Sequence, residues 1–145
     1  MTKIVYNGCF GGFSVSDAAI KRYAELKGIT LYPECDKKFS RFVTYWTVPA
    51  DQRGAILKDN EWQKATQEQR IASNEAYSRL TIGTREFARD DPILVQVVEE
   101  LGDVANGECA KLCIEDVAKG TLWRIDEYDG NEHVATQDSY EWKVA

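Results

Sequence analysis

The chain has 145 residues, 43% of them hydrophobic and 11% aromatic, which supports a buried core in a single domain spanning residues 1–145 and excludes intrinsic disorder. Its 18 Lys+Arg against 24 Asp+Glu give a formal charge of −6, so bulk electrostatic binding to nucleic acid or an anionic membrane is disfavoured, though a local arginine pocket is not. No run approaches the roughly 18 apolar residues of a membrane helix, and Met1 to Phe13 lacks the long apolar segment of a signal peptide. The expected location is therefore the cytoplasm, with Cys9, Cys35, Cys109 and Cys113 as reduced thiols.

Lys3 to Asn7 reads as a short strand, and Gly8, Gly11 and Gly12 predict a turn after it. Ser14 and Ser16 are N-cap candidates, Ser14 forming a box with Asp17. Ala19, Ile20, Tyr23 and Leu26 then keep helical spacing as far as Gly28, a C-cap. Ile29 to Tyr32 reads as a strand stopped by Pro33, with charged Glu34 to Lys38 as a loop. Phe42 to Val48 is dense in β-branched and aromatic residues, which predicts the central strand of the first half. Pro49 suits a helix N1 position and predicts a short helix over Ala50 to Leu57. Thr66 and Gln69 form a capping box ahead of a helix reaching about Arg79, whose apolar stripe (Ala72, Ala76, Leu80) is thin.

Asp91-Pro92 pairs an N-cap with a proline at N1 and opens a long amphipathic helix near residues 91–105. Its buried face should hold Ile93, Leu94, Val97, Val98, Leu101 and Val104. Lys111 to Val117 alternates as a strand, with Leu122 to Tyr128 its expected antiparallel partner across Lys119-Gly120. Asp129-Gly130 marks a hairpin, and Glu132 to Ala135 and Tyr140 to Val144 can continue the meander. The order of elements predicts an α+β fold, an antiparallel sheet packed against several helices.

Three clusters invite a chemical reading. The first is the glycine-rich run Tyr6 to Ser16, between a strand and a helix. It lacks both nucleotide-loop patterns, so its plain reading is a tight turn. Its functional reading is a binding site for a small anionic ligand: backbone N–H groups near Asn7, Gly11 and Gly12 meet a phosphate, Phe13 covers a base, and Arg85 or Arg89 pairs with the charge. The plain alternative makes Asp91 a helix cap and pairs Arg89 with nearby acids.

The second cluster is Asp126 to His133. Glu127, Asp129 and His133 are the candidates for a nucleotide-processing enzyme, but strand alternation sends Asp126 and Tyr128 to one face and Glu127 and Asp129 to the other. A single histidine gives no triad signature. The cysteines offer only Cys109 and Cys113 at close spacing, too few ligands for a metal site, and read as small buried hydrophobes. No cofactor motif stands out. The third cluster is aromatic: Phe13, Tyr45, Trp46, Trp123, Tyr128 and Trp142 could stack a nucleobase, although strand placement makes them core by default.

Two blocks, KIVYNGCFGGFSVSDAAIKRYAELKG and RDDPILVQVVEELGDVANGECAKLCIEDV followed by GTLWRIDEYDGNEHV, resemble uncharacterised proteins encoded by bacteriophages and prophages. TYWTVPADQRGAIL and ASNEAYSR resemble the longer members, so the likeness spans most of the chain, with YNxCFGGFS and IDEYDG its most specific elements. It carries over no catalytic residue. What it implies is a phage context and an accessory role such as countering host defence. The expected function is thus a non-enzymatic binder of a small anionic host signal or of a host protein, possible as a homo-oligomer. A nucleotide-processing enzyme or a mildly acidic nucleic-acid mimic is the alternative.

Overall fold

Strand β1 (Thr2–Asn7) carries Ile4 and Val5, both fully buried, and this apolar pair is what recruits a distant partner. In the computed structural model, which describes residues 1–38 and 42–145, β1 pairs antiparallel with β5 (Leu112–Val117) in the register Thr2↔Val117 to Asn7↔Leu112. The chain is α+β, with antiparallel sheets and helices, and divides into two compact units. One comprises Met1–Lys27 and Thr84–Ala145; the other is Gly28–Gly83.

In the first unit, helix α1 (Asp17–Lys27) starts at Ser16, whose Oγ accepts the Ala19 N–H at 3.2 Å. Ser16, rather than Ser14, is the cap. Gly28 follows at φ +70°, a left-handed exit that glycine takes without strain. Helix α4 (Pro92–Leu101; α2, Asp59–Trp62, and α3, Gln67–Leu80, belong to the other unit) begins as expected, with the Asp91 carboxylate accepting the Ile93 N–H at 2.9 Å. It buries Leu94, Val95, Val97 and Val98 and ends earlier than the hydrophobic spacing suggested. Gly102 adopts φ +55°, and a 3-10 turn over Gly102–Ala105 then places Ala105 in the core while Val104 is 62% exposed. A glycine can reverse the helix here at no steric cost, and that outweighs one more apolar residue on the stripe.

Helices α1 and α4 pack together and are tied at their surface by Arg22 to Glu100 (2.8 Å). Strands β6 (Trp123–Tyr128) and β7 (Asn131–Thr136) form the Asp129-Gly130 hairpin, whose two turn residues take φ +50° and +83°. The expected pairing of β6 with β5 does not occur: β5 goes to β1, and β6 pairs with β7 through the tighter local turn. Ile4, Val117 and Val134 form a buried cluster with Tyr6, Trp123 and Ile125 packed on it, so all four strands share one core. Tyr140 to Val144 is not a strand; a 3-10 turn over Gln137–Ser139 leads into an exposed tail.

The second unit is a three-stranded antiparallel sheet in the order β2-β3-β4, formed by β2 (Tyr32–Cys35), β3 (Val43–Trp46) and β4 (Thr81–Ile82). The β3 segment is central, as its composition predicts. Pro33 does not stop a strand but lies inside β2, an edge strand where a missing N–H is tolerated, so Glu34 and Cys35 are strand rather than loop. The expected helix at Ala50–Leu57 shrinks to a 3-10 turn over Ala50–Gln52, with Pro49 as its N-cap and Gly54 at φ +61° after it. A short α2 (Asp59–Trp62) precedes α3 (Gln67–Leu80), which has both bonds of the Thr66–Gln69 capping box. Trp46 anchors this unit, with the Arg53 guanidinium 3.9 Å above its ring and the Tyr77 ring edge-on at 5.4 Å.

Candidate ligand-binding site

Asn7 closes β1, is fully buried, and has its amide fully used: Nδ2 donates to the carbonyls of Cys9 and Gly130 (both 2.7 Å), and Oδ1 accepts the Lys111 N–H at 2.9 Å. Its backbone N–H donates to Glu132 Oε1 at 2.8 Å. The same carboxylate takes a two-pronged grip from Arg89, at 2.6 and 2.9 Å, and the guanidinium lies 3.6 Å from the centre of the buried Phe13 ring. Gly12 and Gly130 let two backbones touch: a Cβ on Gly130 would stand 2.3 Å from the Gly12 nitrogen.

Asn7, Gly11, Gly12, Phe13 and Arg89 are therefore brought to one place, as the ligand reading required. What fills the arginine is the protein's own Glu132, and what covers Phe13 is Arg89. The pair is largely buried, with side-chain exposures of 18% and 9%. An incoming phosphate would have to displace a bidentate carboxylate that also holds a buried backbone N–H. Arg85 takes no part in these contacts; it is exposed, and no described residue pairs with it. Ser16 starts α1 several residues beyond Gly12, so the glycines do not present the helix N-terminus. The plain reading of Arg89 and Asp91, an ion pair and a cap, matches the contacts these residues make.

A different concavity is open to solvent. Leu122, Trp123 and Arg124 at the start of β6, Ala135 to Gln137 at the end of β7, and Tyr140 and Trp142 of the tail line a cleft of about 300 Å³. Its floor is apolar, and Trp142 is 89% exposed although it lines the cleft. At the wall, Arg124 Nε donates to Asp126 Oδ1 at 2.8 Å, and its Nη2 donates to the Tyr140 hydroxyl at 2.6 Å, which in turn donates to Asp126. The Tyr140 hydroxyl and the Arg124 charge hold the Asp126 carboxyl below its ordinary range. His133, the cross-strand neighbour of Asp126, stands 3.7 Å from it.

Arg124 lines the cleft, and its Nη1 has no hydrogen-bond partner among the described residues. A flat ring, a fixed guanidinium and neutral Thr136 and Gln137 can recognise a planar ring bearing an anionic group.

The sequence candidates Glu127, Asp129 and His133 take separate places. Glu127 is spent on the Gly130 N–H at 2.8 Å, Asp129 is a turn residue, and His133 is mostly exposed. A carboxylate held low, as Asp126 is, makes a weak proton acceptor near neutral pH. Among the described residues no group of three His, Cys, Asp or Glu side chains is placed to hold a metal ion. No helix among them is long and apolar enough to cross a membrane.

The aromatic residues split in a way the sequence did not reveal. Phe13, Tyr45 and Trp46 are buried as core, whereas Tyr128 and Trp142 lie at the surface. The signal that pointed to the cleft was the cluster of Trp123, Tyr140 and Trp142 near one arginine, but a strand assignment for the tail hid it. No family model, no curated protein and no solved structure matches the chain.

Proposed function

We propose that this protein is a non-enzymatic binding protein of bacteriophage or prophage origin that sequesters a small anionic host signal of the cyclic nucleotide type in the host cytoplasm. The observation that carries this reading is the cleft at β6, β7 and the tail, where stacking rings stand beside a guanidinium whose Nη1 has no hydrogen-bond partner among the described residues. Its volume of about 300 Å³ is at the lower end for ligand pockets, so it takes one nucleobase and leaves the rest of the ligand at the rim. Asp126 neutralises Arg124, and the chain carries −6 overall, so affinity must come from stacking and short-range bonds rather than steering. The phage origin rests on the sequence resemblance alone.

Calorimetric titration with cyclic di- and trinucleotides and ADP-ribose derivatives tests the reading. One member of the panel should bind with Kd below about 1 μM and be recovered chemically unchanged after heat release. Cleavage of the bound ligand would make the protein an enzyme. Binding to none of the panel would overturn the reading and favour a host protein, for which exposed Leu122, Tyr128 and Trp142 supply apolar contacts.

A further inference from the structure

Three of the four cysteines gather where β1 ends and β5 begins. Cys113 stands opposite Tyr6 in the β1–β5 register, Cys9 follows β1 by two residues, and Cys109 occupies the turn before β5. Strand alternation separates them. Tyr6 and Cys113 share one face, and Asn7 and Cys9 lie on the other, where Cys9 Sγ is 3.4 Å from Asn7 Oδ1. On that face Cys9 Sγ also lies 3.2 Å from the Cys109 carbonyl oxygen, although the two residues are 100 positions apart in sequence. Cys109 has φ +82° in the turn closed by the Ala110 N–H to the Gly107 carbonyl, and its Cβ stands where a Cβ on Gly11 would come within 2.7 Å. Cys9 is partly accessible, Cys109 is exposed, and neither is in a disulfide. Pairing requires the Cys109 side chain to turn its sulfur toward Cys9.

We propose that Cys9 and Cys109 form an oxidative modification site, an intramolecular disulfide made by hydroperoxides. The more exposed Cys109 attacks the O–O bond of hydrogen peroxide, releasing one water and becoming a sulfenic acid. Cys9 then attacks that sulfur, the S–S bond forms, and the hydroxyl leaves as a second water; two thiols are oxidised and one peroxide is reduced. The product ties the loop of Gly8, Gly11 and Gly12 covalently to the turn before β5. It also closes a ring of about 100 residues in the unfolded chain, which raises thermal stability.

The test uses the full chain purified under reductant, treated with hydrogen peroxide, alkylated, and read by intact mass and non-reducing peptide mapping. The expected result is a loss of about 2 Da before alkylation, two fewer alkylated thiols, a Cys9–Cys109 peptide, and a melting temperature that rises and falls back with dithiothreitol. Cys113→Ser should form the same link and Cys9→Ser none. A link to Cys113 or Cys35, an interchain link, or sulfinic acid accumulating without any link would overturn the proposal, and mapping the wild-type protein decides this even if a variant folds poorly.

Discussion

Replacing Glu132 by alanine strips the β1 end of its anchor. Two consequences follow from the geometry: the Arg89 guanidinium stays held over Phe13 without a counter-charge, and the Asn7 N–H loses its acceptor at a fully buried position. Removing one partner of a buried ion pair costs about 3–5 kcal/mol, and the 18% exposure of Arg89 lets water relieve part of that, so about 3–4 kcal/mol is expected. Glu132→Gln keeps an acceptor for Asn7 and for one Arg89 donor, and should lose roughly half as much. Because a buried pair gains little over well-packed apolar substitutes, Arg89→Met combined with Glu132→Leu should recover the part of the loss due to the unpaired charge and leave that of the unbonded Asn7 N–H. Urea unfolding reads the result, with a midpoint shift of about 1–3 M for Glu132→Ala at ordinary denaturant slopes. A loss under about 1 kcal/mol would refute the claim that this cluster is structural, and so would equal losses for Gln and Ala.

Val97 is fully buried, so Val97→Asp places an unpaired charge in the α4 core and should cost about 3–5 kcal/mol by denaturant titration. Asp91 caps α4. Burial pushes its carboxyl up, but the bonds from the Tyr23 hydroxyl (2.5 Å) and the Ile93 N–H, with the Lys27 charge, outweigh this and leave its pKa below the ordinary 3.8. The ionised form therefore adds stability above that value which is lost as the pH falls through the lower folded pKa. Asp91→Ala should cost about 1–2 kcal/mol at neutral pH, and its gap to the wild type should close in acid, measured by melts across that range. Trp142→Ala removes an 89% exposed side chain, so the melting temperature should hold while ligand affinity falls by about tenfold or more.

Helices α1, α3 and α4 were legible because their signals are local, whereas the helix expected over Ala50 to Leu57 is only a 3-10 turn and α2 was not foreseen. Asp91-Pro92, the Thr66–Gln69 box and Gly28 each act within one turn of chain, and each does so here. The Asp129-Gly130 hairpin is legible for the same reason. What sequence could not supply was the long-range partner of β5, because the alternation of residues 111–117 fits either β1 or β6 equally well. The division at Lys27 and Thr84 has no compositional mark either. For the site, proximity was legible and occupancy was not: the glycine loop, Phe13 and Arg89 do meet, but the acid that fills Arg89 comes from position 132, on the far strand of a hairpin. The cleft stayed hidden because Tyr140 to Val144 alternates like a strand yet pairs with no strand among the described residues.

Amide chemical-shift mapping during titration with whichever cyclic nucleotide binds most tightly tests the central claim, that ligand enters the cleft and not the glycine loop. Shifts should concentrate at residues 122–124, 135–137 and 140–142, together with the Arg124 side-chain signals, with little movement at Asn7, Gly11, Gly12 and Arg89. Shifts centred on Asn7 to Phe13 and Arg89, with the cleft silent, would contradict it.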